Sequence, residues 1–338
     1  MPSRQPLPPK LRGGPFATAD ARAAGVGEGR LRGPDLDRPF HGVRAPVAGA
    51  APANAVGLPP GFPHPGRFPD ARAAEEFALL AARCLAYTVI LKPGQFFSHL
   101  TAARLWKCPL PEGFARNEPL HVTTSRPRRA PEGAGIVGHQ IARDRAHVVD
   151  RFGFPVSDPA ATWLALAPAL GLDDLVAVGD YLVFDPAVLD PQDVRPHTTL
   201  AELAGRIAVP RSAGSPAAAS ALPFVRQGAE ARTESLLRLV LVRAGLPEPE
   251  LAVDVYDRDG RWLGRADMLF REWHVITEYD GEQHGTNSAQ YERDEARIEG
   301  FNRAGFATVR IRKQHLFVQP RIAVERVGRA LRDAGWPG

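Results

Sequence analysis

Cysteine is nearly absent from this 338-residue chain, occurring twice, as Cys84 and Cys108. Neither has metal-ligand spacing, which excludes a disulfide scaffold and a thiolate zinc centre. Long apolar runs are missing too. The most conspicuous, Trp163 to Leu172, falls short of the roughly 18 residues a bilayer span needs and carries a proline. The opening MPSRQPLPPKLRGG has no apolar stretch ahead of a small-residue cleavage site, which argues against a secretory leader. A cytoplasmic protein without membrane contact is the expectation. Lysine is scarce, at four of 42 basic residues. Residues 1–44 carry eight basic against four acidic side chains, 45–224 sixteen of each and 225–338 eighteen of each, so the net charge of +4 sits in the N-terminal arm. Arginine makes bidentate phosphate contacts, yet an Arg/Ala/Gly/Pro vocabulary is equally a mark of GC-rich coding. The charge hints at a polyanionic partner without naming one.

What is present is enough apolar material for packed interiors, 44% of residues, interrupted by 65 clustered glycines and prolines. A chain of this length suggests two or three domains. Residues 1–44 read as a winged-helix-like element: a short helix Ala19–Ala24 ending at Gly25, a basic turn through Arg30 and Arg32, then an extended 39–44. Those two arginines are candidates for nucleic-acid contact, and a plain basic arm is the alternative. Residues 45–69 are Pro/Gly/Ala-rich and nearly uncharged, as in a linker. Residues 70–182 read as a mixed α/β domain with a helix from Asp70, a second helix His99–Trp106 capped by Ser98, and strands near 120–124 and 135–139. His99, His121 and His139 lack HxxxH or HxH spacing, so packing or surface roles are expected for them. Residues 183–223 favour Pro, Ala and Ser and read as a second linker. The fold class expected is multidomain α+β or α/β.

The pattern sharpens over 224–338. Helix Glu234–Ala244, strands Leu251–Tyr256, Trp262–Phe270 and Trp273–Tyr279, helix Ser288–Ala304, strand Phe306–Arg312 and helix Pro320–Ala334 give the order αβββαβ, then α. With Arg271-Glu272 as a two-residue hairpin loop, Asp267 lies opposite Ile276 and diagonal to Glu278 on one face. Asp280 projects from the same face at the strand end. Glu278 interrupts a run that should be buried, where an unpaired carboxylate costs several kcal/mol. Oxygen ligands of this kind suit Mg²⁺, which keeps waters and takes phosphate oxygens. His284 has a pKa suited to moving protons, and Glu234 can hold the outer shell of the metal or serve the helix dipole.

Glu234 on a helix, Asp267 in Arg-Ala-Asp-Met and the run Glu278-Tyr279-Asp280-Gly281-Glu282-Gln283-His284 resemble the PD-(D/E)XK nuclease superfamily. The nearest resemblance is to the branch similar to very-short-patch-repair endonucleases, over about 230–334. This implies a restriction-endonuclease-like fold hydrolysing DNA with Mg²⁺ in repair or defence, Asp267 and Glu278 matching the metal carboxylates and His284 the family histidine. Asp280 stands where many members carry lysine, so Arg310, Arg312 or Lys313 must supply positive charge. Phe16-Ala17-Thr18, Gly25-Val26 and the run Ser98 to Trp106 resemble abortive-infection type E antitoxins. That resemblance implies DNA-binding autoregulation of a toxin partner, and a repressor with a non-cleaving nuclease fold is the alternative function.

Overall fold

The structure is a computed structural model that describes residues 6–47, 63, 68, 71–111, 118–209, 214–280 and 288–338, with backbone alone over 288–292. The chain is mixed α/β with several sheets and divides into two units, residues 1–166 with 190–193, and 167–189 with 194–338. Among the described residues no helix is long and apolar enough to cross a membrane.

The first unit opens with β1 (Phe16–Ala17), α1 (Thr18–Ala23), α2 (Glu28–Leu31), β2 (Leu36–Asp37) and β3 (Val43–Pro46). The strands form a small sheet in the order β1-β3-β2, closed over Leu11, Phe16, Ala21, Val26 and Leu31. Gly25 takes φ +82 and stops α1, as its missing Cβ allows. Next come α3 (Ala71–Thr88), β4 (Gln95–Phe97), α4 (His99–Leu105), β5 (Leu120–Ser125), β6 (Ile136–Ile141), β7 (Val148–Arg151), β8 (Phe154–Ser157) and α5 (Pro159–Leu166). A five-stranded sheet results, in the order β6-β5-β4-β8-β7. Phe77, Leu80, Ala81 and Cys84 recur at helical spacing and are buried, which is why α3 packs by one stripe.

The second unit begins with α6 (Leu172–Val183), α7 (Leu200–Ile207), α8 (Ser215–Ala221) and α9 (Arg232–Arg243). It continues with β9 (Glu250–Tyr256), β10 (Trp262–Phe270), β11 (Val275–Asp280), α10 (Ser288–Arg303), β12 (Ala307–Arg312), α11 (Lys313–Phe317) and α12 (Pro320–Asp333). The sheet order is β12-β11-β10-β9, antiparallel except for the parallel β11–β12 pair. Leu237, Leu241, Met268, Phe270, Val275, Val309, Ile311, Val327 and Leu331 share one core; Val255, Leu269, Ile276 and Phe301 share another. The linker expected over 183–223 is not one: among the described residues α7 and α8 lie there, and α7 starts with a reciprocal cap between Thr199 and Glu202. The unit boundary also lies earlier than expected, because α6 joins α9 through charge. Arg238, 1% exposed, reaches Asp180 at 3.0 Å and Glu248 at 2.9 Å, while Arg232 holds Asp174 and Arg243 holds Asp173.

Candidate active site

The hairpin joining β10 to β11 fixes the site. Arg271–Trp273 coil into a 3₁₀ turn and His274 takes the left-handed conformation (φ 53), so the loop is longer than two residues. The register runs Phe270↔Val275, Leu269↔Ile276, Met268↔Thr277. The expected pairing of Asp267 with Ile276 is therefore corrected: continuing the register sets Asp267 directly opposite Glu278. A shift of two residues leaves every side chain on its own face, since strand side chains alternate with period two.

Beyond Met268 and Thr277 the two carboxylates take over from the ladder. The Asp267 backbone N–H donates to Glu278 Oε1 at 3.2 Å, and the Tyr279 N–H donates to Asp267 Oδ2 at 2.9 Å. Glu234, in the first turn of α9, accepts the Glu230 N–H at 3.0 Å. Burial, and then the charge of Asp267, push Glu234 up to about 8 and Glu278 up to about 7. Burial raises Asp267 as well, against the Tyr279 N–H and Arg297, which pull it down. Three carboxyl groups that repel one another in a half-dry setting lack positive charge. Arg297 of α10 supplies part of it, 2.8 Å from Glu278 Oε2 and donating to the Arg265 carbonyl.

Arg297 is a residue of this acidic site that sequence reasoning missed. Two signals point to it. It precedes the inward-facing Phe301 by four residues, one helical turn on the same face, and its guanidinium lies 5.7 Å from that ring. Gly264 interrupts the β10 pattern, with φ +149 and no room for a side chain. A Cβ there would meet Arg297 Cδ at 2.6 Å, so the glycine admits the arginine stem.

The other predicted residues are placed as follows. Asp280 pairs with Arg310 at 3.2 Å and Arg312 at 3.6 Å, and Arg310 also binds Glu295. Arg310 and Arg312 thus meet carboxylates of their own unit. Lys313 is exposed at the start of α11, and His284 lies outside the described residues. In the N-terminal element α2 is a single turn, too short to read a groove alone, and Arg30 is held by both oxygens of Asp35 at 3.1 and 2.8 Å while Arg32 is exposed. A concavity on the same element is lined by Arg22, Arg38, His41 and Arg44, a basic grouping not singled out in the sequence. Burial and the neighbouring Arg38 depress the Arg44 pKa. The histidines expected to be separate instead meet: among the described residues, His99, His121 and His139 bring their ligand atoms within 4.8 Å of one another. Sequence spacing hid this, because strand pairing assembles the group.

No family model matches the chain, and no solved structure matches it. Uncharacterized proteins from two strains of Mycobacterium tuberculosis are each 30% identical to it over 125 residues, 37% of this chain and 46% of theirs. The chain spans about half the length of the curated relatives it matches.

Proposed function

We propose that residues 232–338 form a nuclease-type domain that hydrolyses DNA phosphodiesters with Mg²⁺, in a restriction-endonuclease-like arrangement. One observation carries the reading: Asp267 and Glu278 cross-bond the two strands where β10 and β11 part, with Glu234 near enough to feel the charge of Asp267, in the element order αβββαβ. The donors are oxygens alone and short of positive charge, which fits a hard divalent cation. Asp267 and Glu278 would hold it; when bound it neutralises phosphate charge and acidifies an attacking water. Glu234, ionising near neutrality, is suited to accept that water's proton, a role shared with His284. Arg297 aligns Glu278 and stands in for the lysine that Asp280 replaces. The Arg22, Arg38 and Arg44 grouping supports phosphate contact by the N-terminal element.

A second reading, a DNA-binding repressor or antitoxin partnered by a toxin, draws on the ion pairs. Glu278 is bound by Arg297 and Asp280 by Arg310 and Arg312, so each already has a cation. Incubation of the whole protein with supercoiled plasmid separates the two. We expect nicked or linear product with Mg²⁺, none with EDTA, and none from Asp267→Asn or Glu278→Gln. Salt-sensitive retention of DNA without cleavage supports the repressor.

A further inference from the structure

The histidine group of the first unit has no part in the reaction proposed above. His99 follows β4 and opens α4, His121 lies on β5 and His139 on β6. Parallel pairing sets Thr123 beside His139, two residues along from His121 on the same face, and the Ser98 N–H bonds the His121 carbonyl from the β4 side. Three rings from three chain segments thereby converge. His121 Nδ1 lies 3.0 Å from His139 Nε2, and the His99 and His139 rings stack with centroids 3.6 Å apart at 13°. His99 holds φ 49, a left-handed backbone unusual outside glycine, although histidine tolerates it better than most.

A neutral imidazole carries one N–H and one lone pair on its two ring nitrogens. Each ring therefore offers a lone pair, and the His121–His139 hydrogen bond uses only one of the three. His99 Nδ1 sits 2.9 Å from Ser98 Oγ, which is 2.6 Å from Thr123 Oγ1. Both hydroxyls can accept as well as donate, so the pair can take an Nδ1–H from His99 and hold the tautomer that leaves Nε2 available, as the outer partners of metal-ligating histidines do. At zinc–nitrogen bonds of about 2.0–2.1 Å, two nitrogens on one tetrahedral ion lie about 3.3 Å apart. The 3.0 Å separation of His121 and His139 is close to that value. Imidazole nitrogens favour ions such as Zn²⁺ and not Mg²⁺.

We propose that His99 Nε2, His121 Nδ1 and His139 Nε2 bind a single divalent transition-metal ion of the zinc class, with a fourth position for water or an exogenous ligand. On binding, the proton shared by His121 and His139 moves to the outer nitrogen of its own ring, and the stacked rings of His99 and His139 turn to aim their lone pairs at the ion.

The test is titration of Zn²⁺ into chelator-stripped full-length protein against a chromophoric competitor. We expect one equivalent bound by the wild type. His121→Ala and His139→Ala should each weaken it by about 100-fold or more, and Ser98→Ala, which keeps every ligand, by about 10-fold. The Zn²⁺ equivalent should persist in Asp267→Asn/Glu278→Gln; its loss there would assign the ion to the acidic cluster and overturn the inference. So would no saturable binding by the wild type, or affinity unchanged in both alanine variants. If circular dichroism shows those variants unfolded, the decision passes to Ser98→Ala and to the visible spectrum of wild-type protein with Co²⁺. Four-coordinate nitrogen-ligated bands support the site, and an aquo-ion spectrum refutes it.

Discussion

Replacing Glu278 by glutamine should make the metal-free protein more stable at pH 8, although the change removes an ion pair. Glu278 is 5% exposed, and burial plus the charge of Asp267 move its carboxyl from 4.5 to about 7 in the folded chain. At about 1.4 kcal/mol per pH unit, ionised Glu278 costs the fold about 3 kcal/mol once pH exceeds both values. The loss of the Arg297 contact is already counted, because a protonated Glu278 also lacks that ion pair. Glutamine reproduces the protonated form at every pH. The sign follows from the proton balance. Below pH 4.5 folded and unfolded chains both carry the proton, and the group has no effect. From 4.5 upward the unfolded chain releases it first, so wild-type stability declines until pH passes 7. The variant should therefore gain about 3 kcal/mol at pH 8 and little at pH 5. Urea unfolding of the full chain in EDTA measures this, with hydrogen exchange of the β11 amides locating the gain. Millimolar Mg²⁺ should stabilise the wild type at pH 8 and leave the variant unmoved. A variant destabilised at pH 8, or one gaining equally at both pH values, would refute the argument that buried negative charge is in excess here.

Two further outcomes follow from close packing and buried charge. Gly264→Ala should destabilise the second unit by about 1–3 kcal/mol, because a positive φ and a 2.6 Å approach to Arg297 Cδ both oppose a Cβ; the melting temperature reads it. Arg238→Ala should cost about 3–5 kcal/mol in urea unfolding by stranding Asp180, which is 0% exposed, whereas Arg238→Met combined with Asp180→Leu should recover most of the loss.

The elements of the second unit were largely legible because their signals are local. Period-two alternation marks β10 and β12, Asp257 to Gly260 makes the turn its residues demand, and Gly305 at φ +93 ends α10. Over 183–223 composition stands in for propensity. Ser215 to Ala221 looks like linker by its Pro and Ala content. Alanine is nevertheless the strongest helix former, and Pro216 falls in the first turn of α8, where its missing N–H costs nothing. Thr199 and Glu202 also carried a readable capping signature. The 271–274 turn is longer than a two-residue loop although Trp273 has strand character, and the left-handed His274 closes it.

What no local signal reveals is convergence. Asp267 and Glu278 are eleven residues apart, and any hairpin between them with a register shifted by an even number keeps both on one face. Asp180 and Arg238 stand 58 residues apart, and their meeting depends on α6 packing against α9. The histidines lie between these cases. Residues 121 and 139 are 18 apart on parallel strands, a pairing that needs a crossover and gives neither hairpin geometry nor fixed spacing. Residue 99 joins from a third segment through the antiparallel β4–β5 pair. Ligand spacing in sequence detects sites built within one helix or hairpin. A site assembled across a mixed sheet requires the strand order first, which is why the acidic residues could be anticipated and the histidine group could not.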